Sequence, residues 1–272
     1  MTVTPLERQR RVRRRWLVWA TLPLWLGAFV FGTHLAVMNI VAATARGQYH
    51  DGSIGGAAVG WTFLKSTDPV EKWKAPFGLG TTLTKGEDGI LGQFYLVDAL
   101  EVAPDDPTTQ CLILINYAIA LEMTGDEALA SAKELAAWAD EAQSYVDAGQ
   151  EYPPGVPWSD ATPEELRADA AEEAEWAERD YAEAVQAREE CEPEGQSSEQ
   201  QQQNEESSER LEEKQEEAQG EQEQQEQEQE QDQSEEERRQ EELEQRNREA
   251  QQQAERERQE QEGEGGAGTK NW

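Results

Sequence analysis

Apart from carboxylates, the chain has few residues that could do acid–base, nucleophilic or metal chemistry. It contains two histidines, His34 and His50, and two cysteines, Cys111 and Cys191. Neither cysteine belongs to a C-x-x-C pair, so the spacing of zinc and redox motifs is missing. A Walker loop, G-x-S-x-G, H-E-x-x-H and the EF-hand spacing are also missing. A triad would have to use His50, and we predict no catalytic residues, no cofactor, no metal and no small-molecule substrate.

The negative charge of the chain is unevenly distributed. Its 272 residues include 24 Lys and Arg against 58 Asp and Glu, a formal net charge of −34. Such an excess of acid repels phosphate backbones and argues against nucleic acid as a partner. Residues 192–272 hold 28 acids and 9 bases and have too little apolar surface to offset the entropy of folding. We expect this Gln/Glu-rich segment to be a disordered low-complexity tail, with a fraying helix around residues 235–260.

The N-terminal region combines a basic block with an uncharged apolar stretch. Residues 1–15 carry several arginines, and no charged residue lies between Trp16 and Ala45. A bilayer core takes about 20 apolar residues in a helix, so we predict a transmembrane helix over residues 16–37. Arginines just before a span hold their side in the cytoplasm. We expect a single-pass protein of the cell membrane, with residues 1–15 cytoplasmic and the C-terminal region outside. A signal peptide cleaved after Ala43-Thr44-Ala45 is the alternative.

Residues 38–148 carry a repeated pattern of small and large residues. Counted from Ala45, Gly80 and Ala118, small or large apolar residues recur at offsets of 12, 16 and 19, with Glu134 the one exception. The three reference positions are 35 and 38 residues apart, against about 34 in tetratricopeptide (TPR) repeats. This region therefore resembles three TPR units, at about 38–71, 73–106 and 111–144. A generic helical bundle is the alternative.

The TPR resemblance also assigns positions that pack helices together or end them. They are Trp61, Leu79, Gly80, Leu83, Gly92, Leu96, Ala99, Pro104, Ala118, Gly125 and Ala130. Small residues let two helices approach closely, and large ones fill the space between successive units. Gly125 is predicted to turn the chain inside the third unit, because glycine adopts positive φ at little cost.

A linker and a further helix follow the repeats. Residues 149–162 are proline-rich, which predicts an extended linker. Thr162 can cap a helix that starts at Pro163, and apolar residues then recur at three- and four-residue spacing. We predict an amphipathic helix over residues 163–191 that caps the solenoid. The expected fold class is all-α: one transmembrane helix, a short TPR-like solenoid with a capping helix, and the disordered tail.

Cys111 and Cys191 are candidates for a disulfide, because both follow the span on the side where disulfides persist. A bridge needs the two α-carbons within about 7 Å. The helix that ends at Cys191 must then return antiparallel to the helix that begins at Cys111. A regular fourth repeat would instead run parallel and separate them.

Two runs of residues behind the span carry a closer resemblance. The segments Trp73–Gly80 and Asn116–Glu122, after a basic N-terminus and one span, resemble membrane-anchored TPR proteins of the bacterial Bat (aerotolerance) type. In that family, such proteins accompany MoxR-like AAA+ ATPases and membrane-anchored von Willebrand A-domain proteins. The resemblance covers about residues 10–148 and implies scaffolding at the membrane with membrane-anchored protein partners.

The expected function is a membrane-tethered protein-interaction scaffold, not an enzyme. It would bind a partner through the concave face of the repeats and assist assembly or regulation of a membrane A-domain/AAA+ system. One alternative is a bitopic structural or cell-division protein of the envelope that acts through its span and acidic tail. An envelope enzyme that uses His50 is the other.

Overall fold

The computed structural model describes residues 5–67, 70–191 and 198–264, which form helices and connecting turns without a strand. The helices are α1 Pro5–His50, α2 Ile54–Thr67, α3 Lys74–Lys85, α4 Gly89–Glu101, α5 Pro107–Ala148, α6 Pro163–Glu189 and α7 Ser198–Glu264. The predicted all-α class is confirmed for these residues. The chain divides into two compact units, residues 1–126 with 179–213 and residues 127–178 with 214–272.

The first helix contains the predicted span. Its segment Val18–His50 is long and apolar enough to cross a membrane, with a mean hydropathy of 1.7 in its most apolar window. Within the described part of the chain, it is the one helix with this property. Large side chains such as Trp25 and Phe29 are exposed along it, at 75% and 71%. The helix continues without a break beyond residue 37, and its last turns form part of a hairpin.

The first hairpin joins the end of α1 to α2. The chain turns at Gly52, whose φ of +77° is a conformation that glycine adopts without steric cost. α2 then returns along α1, and its buried Trp61 packs in one apolar cluster with Met38. Further along, a ring nitrogen of His34 lies 3.1 Å from the carbonyl oxygen of Thr67. The hairpin coincides with the first predicted repeat.

The second hairpin consists of α3 and α4 and coincides with the second predicted repeat. Asp88 caps α4, because its carboxylate accepts a hydrogen bond from the backbone N–H of Leu91 at 3.2 Å. The two helices cross closely at Gly80, where a Cβ would lie 2.7 Å from Cγ of Leu96. Leu96 is fully buried. A glycine is therefore needed at position 80 for this packing.

The third predicted hairpin does not form, because α5 is a single unbroken helix. The predicted turn at Gly125 is wrong. A Cβ at Gly125 would lie 2.7 Å from the ring of Tyr181 on α6, and the Tyr181 hydroxyl donates to Asp126 at 2.7 Å. Glycine in a helix interior costs only about 1 kcal/mol, and this close contact with α6 compensates it. Ala118 is buried as expected, whereas Ala130 is exposed on this unbroken helix.

The linker folds back and the next helix starts where the sequence indicates. Thr162 and Glu165 form a reciprocal cap, with N–H to side-chain oxygen distances of 2.8 and 3.2 Å, which satisfies two free donors at the start of α6. The linker is not simply extended, because Trp158 is buried against Tyr145 and Tyr152.

A disulfide joins Cys111 of α5 to Cys191, just after α6, with a Cα–Cα distance of 4.7 Å. Since Tyr181 also contacts α5 beside Gly125, α6 returns antiparallel to α5. This is the arrangement that the bridge requires.

The C-terminal segment differs most from expectation. Residues 198–264 form one helix, α7, rather than a disordered tail; 192–197 and 265–272 lie outside the described residues. Glu, Gln and Arg all favour helix. Along one face of α7, buried residues recur every seven positions: Leu211, Ala218 and Gln225. A seven-residue repeat keeps such side chains on the face of a helix that packs against other helices. The local composition does not reveal this burial.

Candidate partner-binding groove

A groove of about 450 Å³ lies between α1 and α3. α1 lines it at three- and four-residue spacing from Leu35 to His50, and α3 lines it from Lys74 to Thr82. Because an α-helix turns once in 3.6 residues, each series of side chains lies on one helix face. The groove therefore has two helical walls, which are supplied by the first helices of the two hairpins.

The floor of the groove comes from α2, which packs against both α1 and α3. Its Trp61 and Leu64 are 8% and 3% exposed. Gly78 of α3 rests on the Trp61 ring, and a Cβ there would lie 2.5 Å from ring carbons. The absence of a side chain at Gly78 therefore lets α3 approach the floor.

A contact between Lys85 and Tyr49 fixes how the two walls are aligned. The Lys85 ammonium donates to the backbone carbonyl of Tyr49 at 2.8 Å and lies 4.3 Å from the centroid of its ring. Since α1 and α3 are both antiparallel to α2, they run in the same direction. Counting back along both helices from this contact places Lys74 level with Met38.

The groove is locally positive in a strongly acidic protein. The Nε of Arg46 donates to the Ala42 carbonyl in its own helix at 3.3 Å, and no carboxylate of the described residues forms a salt bridge with it. Lys74 pairs with Glu71 at 2.7 Å, and these side chains are 48% and 52% exposed. Exposed pairs of this kind contribute little and exchange readily with other partners. Among the described residues, the lining thus offers two cations against one carboxylate.

Most of the predicted packing positions lie behind the groove rather than in it. Trp61 lines it; Leu79, Gly80, Gly92, Leu96, Ala99 and Ala118 are buried, Leu83 is half-buried, and Pro104 is exposed between α4 and α5. The sequence reading missed Arg46, Lys74 and Phe77 as groove residues. Their three- and four-residue spacing was a visible signal, but which face stays open depends on how α2 packs.

A second exposed apolar surface lies on α2 and α4. Lys65 of α2 pairs with Asp98 of α4 at 2.6 Å, so these two helices are neighbours. Val59, Ile90 and Phe94 on them are 72%, 73% and 57% exposed. None of these three side chains lines the groove, so this surface offers a comparison site.

A polar cluster joins α4, α5 and α6 away from the groove. Gln93 donates to the Thr124 hydroxyl at 2.6 Å, and that hydroxyl donates to the carboxylate of Asp180. Burial raises the pKa of Asp180 above the ordinary value. Burial and the hydrogen bond to Glu183 raise the pKa of Tyr117. The cluster attaches α6 to the helices beside it.

The histidines do not lie together. His50 lines the groove, whereas His34 is bonded to the end of α2. Within the described residues, no group of three or more His, Cys, Asp and Glu side chains could hold a metal ion.

Comparison with known protein families, with curated proteins and with solved structures finds no match for this chain.

Proposed function

We propose that this protein is a membrane-tethered interaction scaffold, and that its groove holds a segment of a protein partner outside the cytoplasm. The supporting observation is that one continuous helix, α1, carries both the apolar segment and one wall of the groove. A partner held there stays at a fixed height above the membrane. The groove is concave and mostly apolar with a few polar groups, as ligand sites usually are.

Retention of the N-terminal helix is part of this proposal. Met38 and Ala45 belong to the apolar cluster that holds α2, so cleavage after Ala45 would remove half of the first hairpin and one groove wall. We expect the intact mass of the protein purified from membranes to include residues 1–45. A mature chain that starts at Arg46 would contradict the anchor.

The resemblance to Bat-type proteins supports a partner that is itself membrane-anchored. On that basis we propose that the scaffold assists assembly or regulation of an A-domain/AAA+ system. The arginines before the span favour a cytoplasmic N-terminus, which would put the groove outside.

Photo-crosslinking in intact membranes tests the groove directly. A photoreactive residue at Asn39, which is exposed and lines the groove, is compared with one at Ala43, which is exposed but does not line it. A third position, Phe94, samples the surface of α2 and α4. We expect a discrete protein adduct from Asn39 only. Adducts from Phe94 alone would move the binding surface off the groove.

A bitopic structural protein that acts through its C-terminal region remains the second candidate. The observation in its favour is that α7 is an ordered helix with a buried face. Deleting residues 238–264 and, separately, introducing Arg46→Glu distinguish the two functions. Loss of the cellular phenotype with the deletion alone would favour the second candidate.

A further inference from the structure

We infer that the groove accepts the juxtamembrane segment of a second membrane protein, an apolar segment that carries two carboxylates about 12 Å apart. This inference rests on the proposed function and adds the chemistry and the origin of the partner. It is carried by three observations: the height of the groove along α1, the charges in its lining and the alignment of its two walls.

The height of the groove indicates where its occupant comes from. At the lower end it is lined by Leu35 and Met38, within the uncharged stretch that ends at Ala45. A span of about 20 residues that begins near Trp16 ends at this level. From Leu35 to His50 the groove then rises roughly 22 Å at 1.5 Å per residue. A second membrane protein beside α1 would therefore present its juxtamembrane segment at the lower end of the groove.

The charges in the lining indicate carboxylates on the occupant. Arg46 has no acidic partner among the described residues. Lys74 forms an exposed pair with Glu71 and lies 5.7 Å from the centroid of the Trp73 ring. A net charge of −34 repels acidic chains from most of the surface, so a segment with carboxylates is favoured at this site and disfavoured elsewhere. Such complementarity contributes mainly specificity.

The alignment of the walls gives the spacing. Lys74 is roughly level with Met38 when both helices are counted back from the Lys85–Tyr49 contact. Arg46 lies eight residues above Met38, which corresponds to about 12 Å along the helix axis. An extended chain covers this distance in three to four residues at about 3.3 Å each. Between the two cations the groove offers Phe77 and Trp61, which favour apolar side chains between the carboxylates.

The test uses defined probes and the full-length protein in phosphatidylcholine nanodiscs. Each probe is a synthetic peptide with one leucine-rich span followed by an eight-residue apolar segment. In three versions of the probe, this segment carries two Glu, two Gln or two Lys residues, in each case four positions apart. A fourth probe has the Glu segment without the span. Binding is measured by energy transfer from a dye on the probe to one at Ala43→Cys, a position that is exposed and does not line the groove.

The Glu probe is expected to associate roughly tenfold more tightly than the Gln probe, and the Lys probe least. Arg46→Glu should reverse the order of Glu and Lys, whereas Lys72→Glu, an exposed position outside the lining, should preserve it. The spanless probe should bind at least tenfold more weakly, because anchoring raises its effective concentration.

Equal binding of the Glu, Gln and Lys probes would overturn the inference. So would displacement of the Glu probe by phosphatidylglycerol in the nanodisc, which would identify a lipid headgroup as the occupant. Equal binding of the probes would leave the proposed function intact, because that function is tested separately by the protein adduct from Asn39. A lipid occupant together with no protein adduct at Asn39 would overturn both. A protein adduct at Asn39 without charge selectivity among the probes would support the scaffold function and contradict the acidic segment as its occupant.

Discussion

The hairpins of α1–α4 and the C-terminal helix α7 are held by different forces. The hairpins bury large apolar side chains such as Leu79 and Leu96. α7 buries one leucine, Leu211, followed by Ala218 and Gln225. Ion pairs add to its attachment, including a two-point contact between Arg210 and Glu122 with both distances at 3.0 Å.

The two kinds of attachment should respond differently to salt, and we call the hairpins of α1–α4 the fixed platform because theirs is mainly apolar. Apolar burial depends little on salt. The attraction between charges near the surface instead weakens as the Debye length shrinks from about 10 Å at 0.1 M salt to about 3 Å at 1 M. The groove belongs to the apolar region and shares helix α1 with the segment that is long and apolar enough to span a membrane. The attachment of α7 should therefore weaken as the ionic strength rises.

Truncation of a buried leucine in the hairpins should have the largest effect. Leu96→Ala removes a side chain that is 0% exposed and should lower the free energy of unfolding by about 4 kcal/mol, as fully buried leucines do. Leu91→Ala is the control on the same helix, because Leu91 is 45% exposed. Denaturant unfolding in detergent measures both. Equal losses for the two variants would mean that α4 is not packed as described.

Loss of the disulfide should come next. The bridge between Cys111 and Cys191 spans 80 residues. Its removal should lower the free energy of unfolding by about 3 kcal/mol, chiefly because the unfolded chain then gains conformational entropy. Melting curves with and without reductant check this. The double variant Cys111→Ala, Cys191→Ala should melt like the reduced protein and should not respond to reductant.

Salt should separate the two regions with a smaller effect. Raising the salt concentration to about 1 M should accelerate hydrogen exchange in α7 while that in α3 and α4 stays constant. Glu122→Gln should produce part of this effect at low salt, by about 1 kcal/mol, because it breaks the pair with Arg210. An exposed control such as Glu101→Gln should leave α7 unchanged. Uniform acceleration over the whole chain would contradict separate modes of attachment.

The smallest expected effect concerns pH. Because burial raises the pKa of Asp180 above 3.8, the folded protein binds this proton more tightly than the unfolded chain does. The contribution of Asp180 is therefore greatest below pH 3.8 and falls as the pH rises through its folded pKa. Asp180→Asn should remove this decline from the unfolding free energy measured between about pH 4 and 7.

Asp106 supplies the opposite sign. Hydrogen bonds from Thr109 lower the pKa of this capping carboxylate below 3.8, so its stabilisation is present above that pH and lost as the pH falls. Asp106→Asn should weaken the protein at neutral pH more than in acid. Matching pH profiles for the two variants would show that burial of Asp180 has been misjudged.

The sequence predicts those parts of the fold that depend on local signals. The start of α6 at Thr162 follows from residue types within a few positions. The turn predicted at Gly125 failed because its partner, Tyr181, is distant in sequence. Helix was expected only around residues 235–260 of α7. Its full extent was not predicted for a related reason, since the burial of Leu211 depends on parts of the chain outside its own turn of helix. In the groove, the spacing of Arg46 and its neighbours was readable, but the open face was not.

The most direct test of the fixed platform is hydrogen exchange of the full-length protein in nanodiscs, read along residues 34–50. This segment passes from the apolar stretch into the wall of the groove within one helix. Slow exchange throughout, at low and at high salt, is the predicted result. Fast exchange confined to residues 43–47 would reveal a hinge between anchor and groove and would contradict the account.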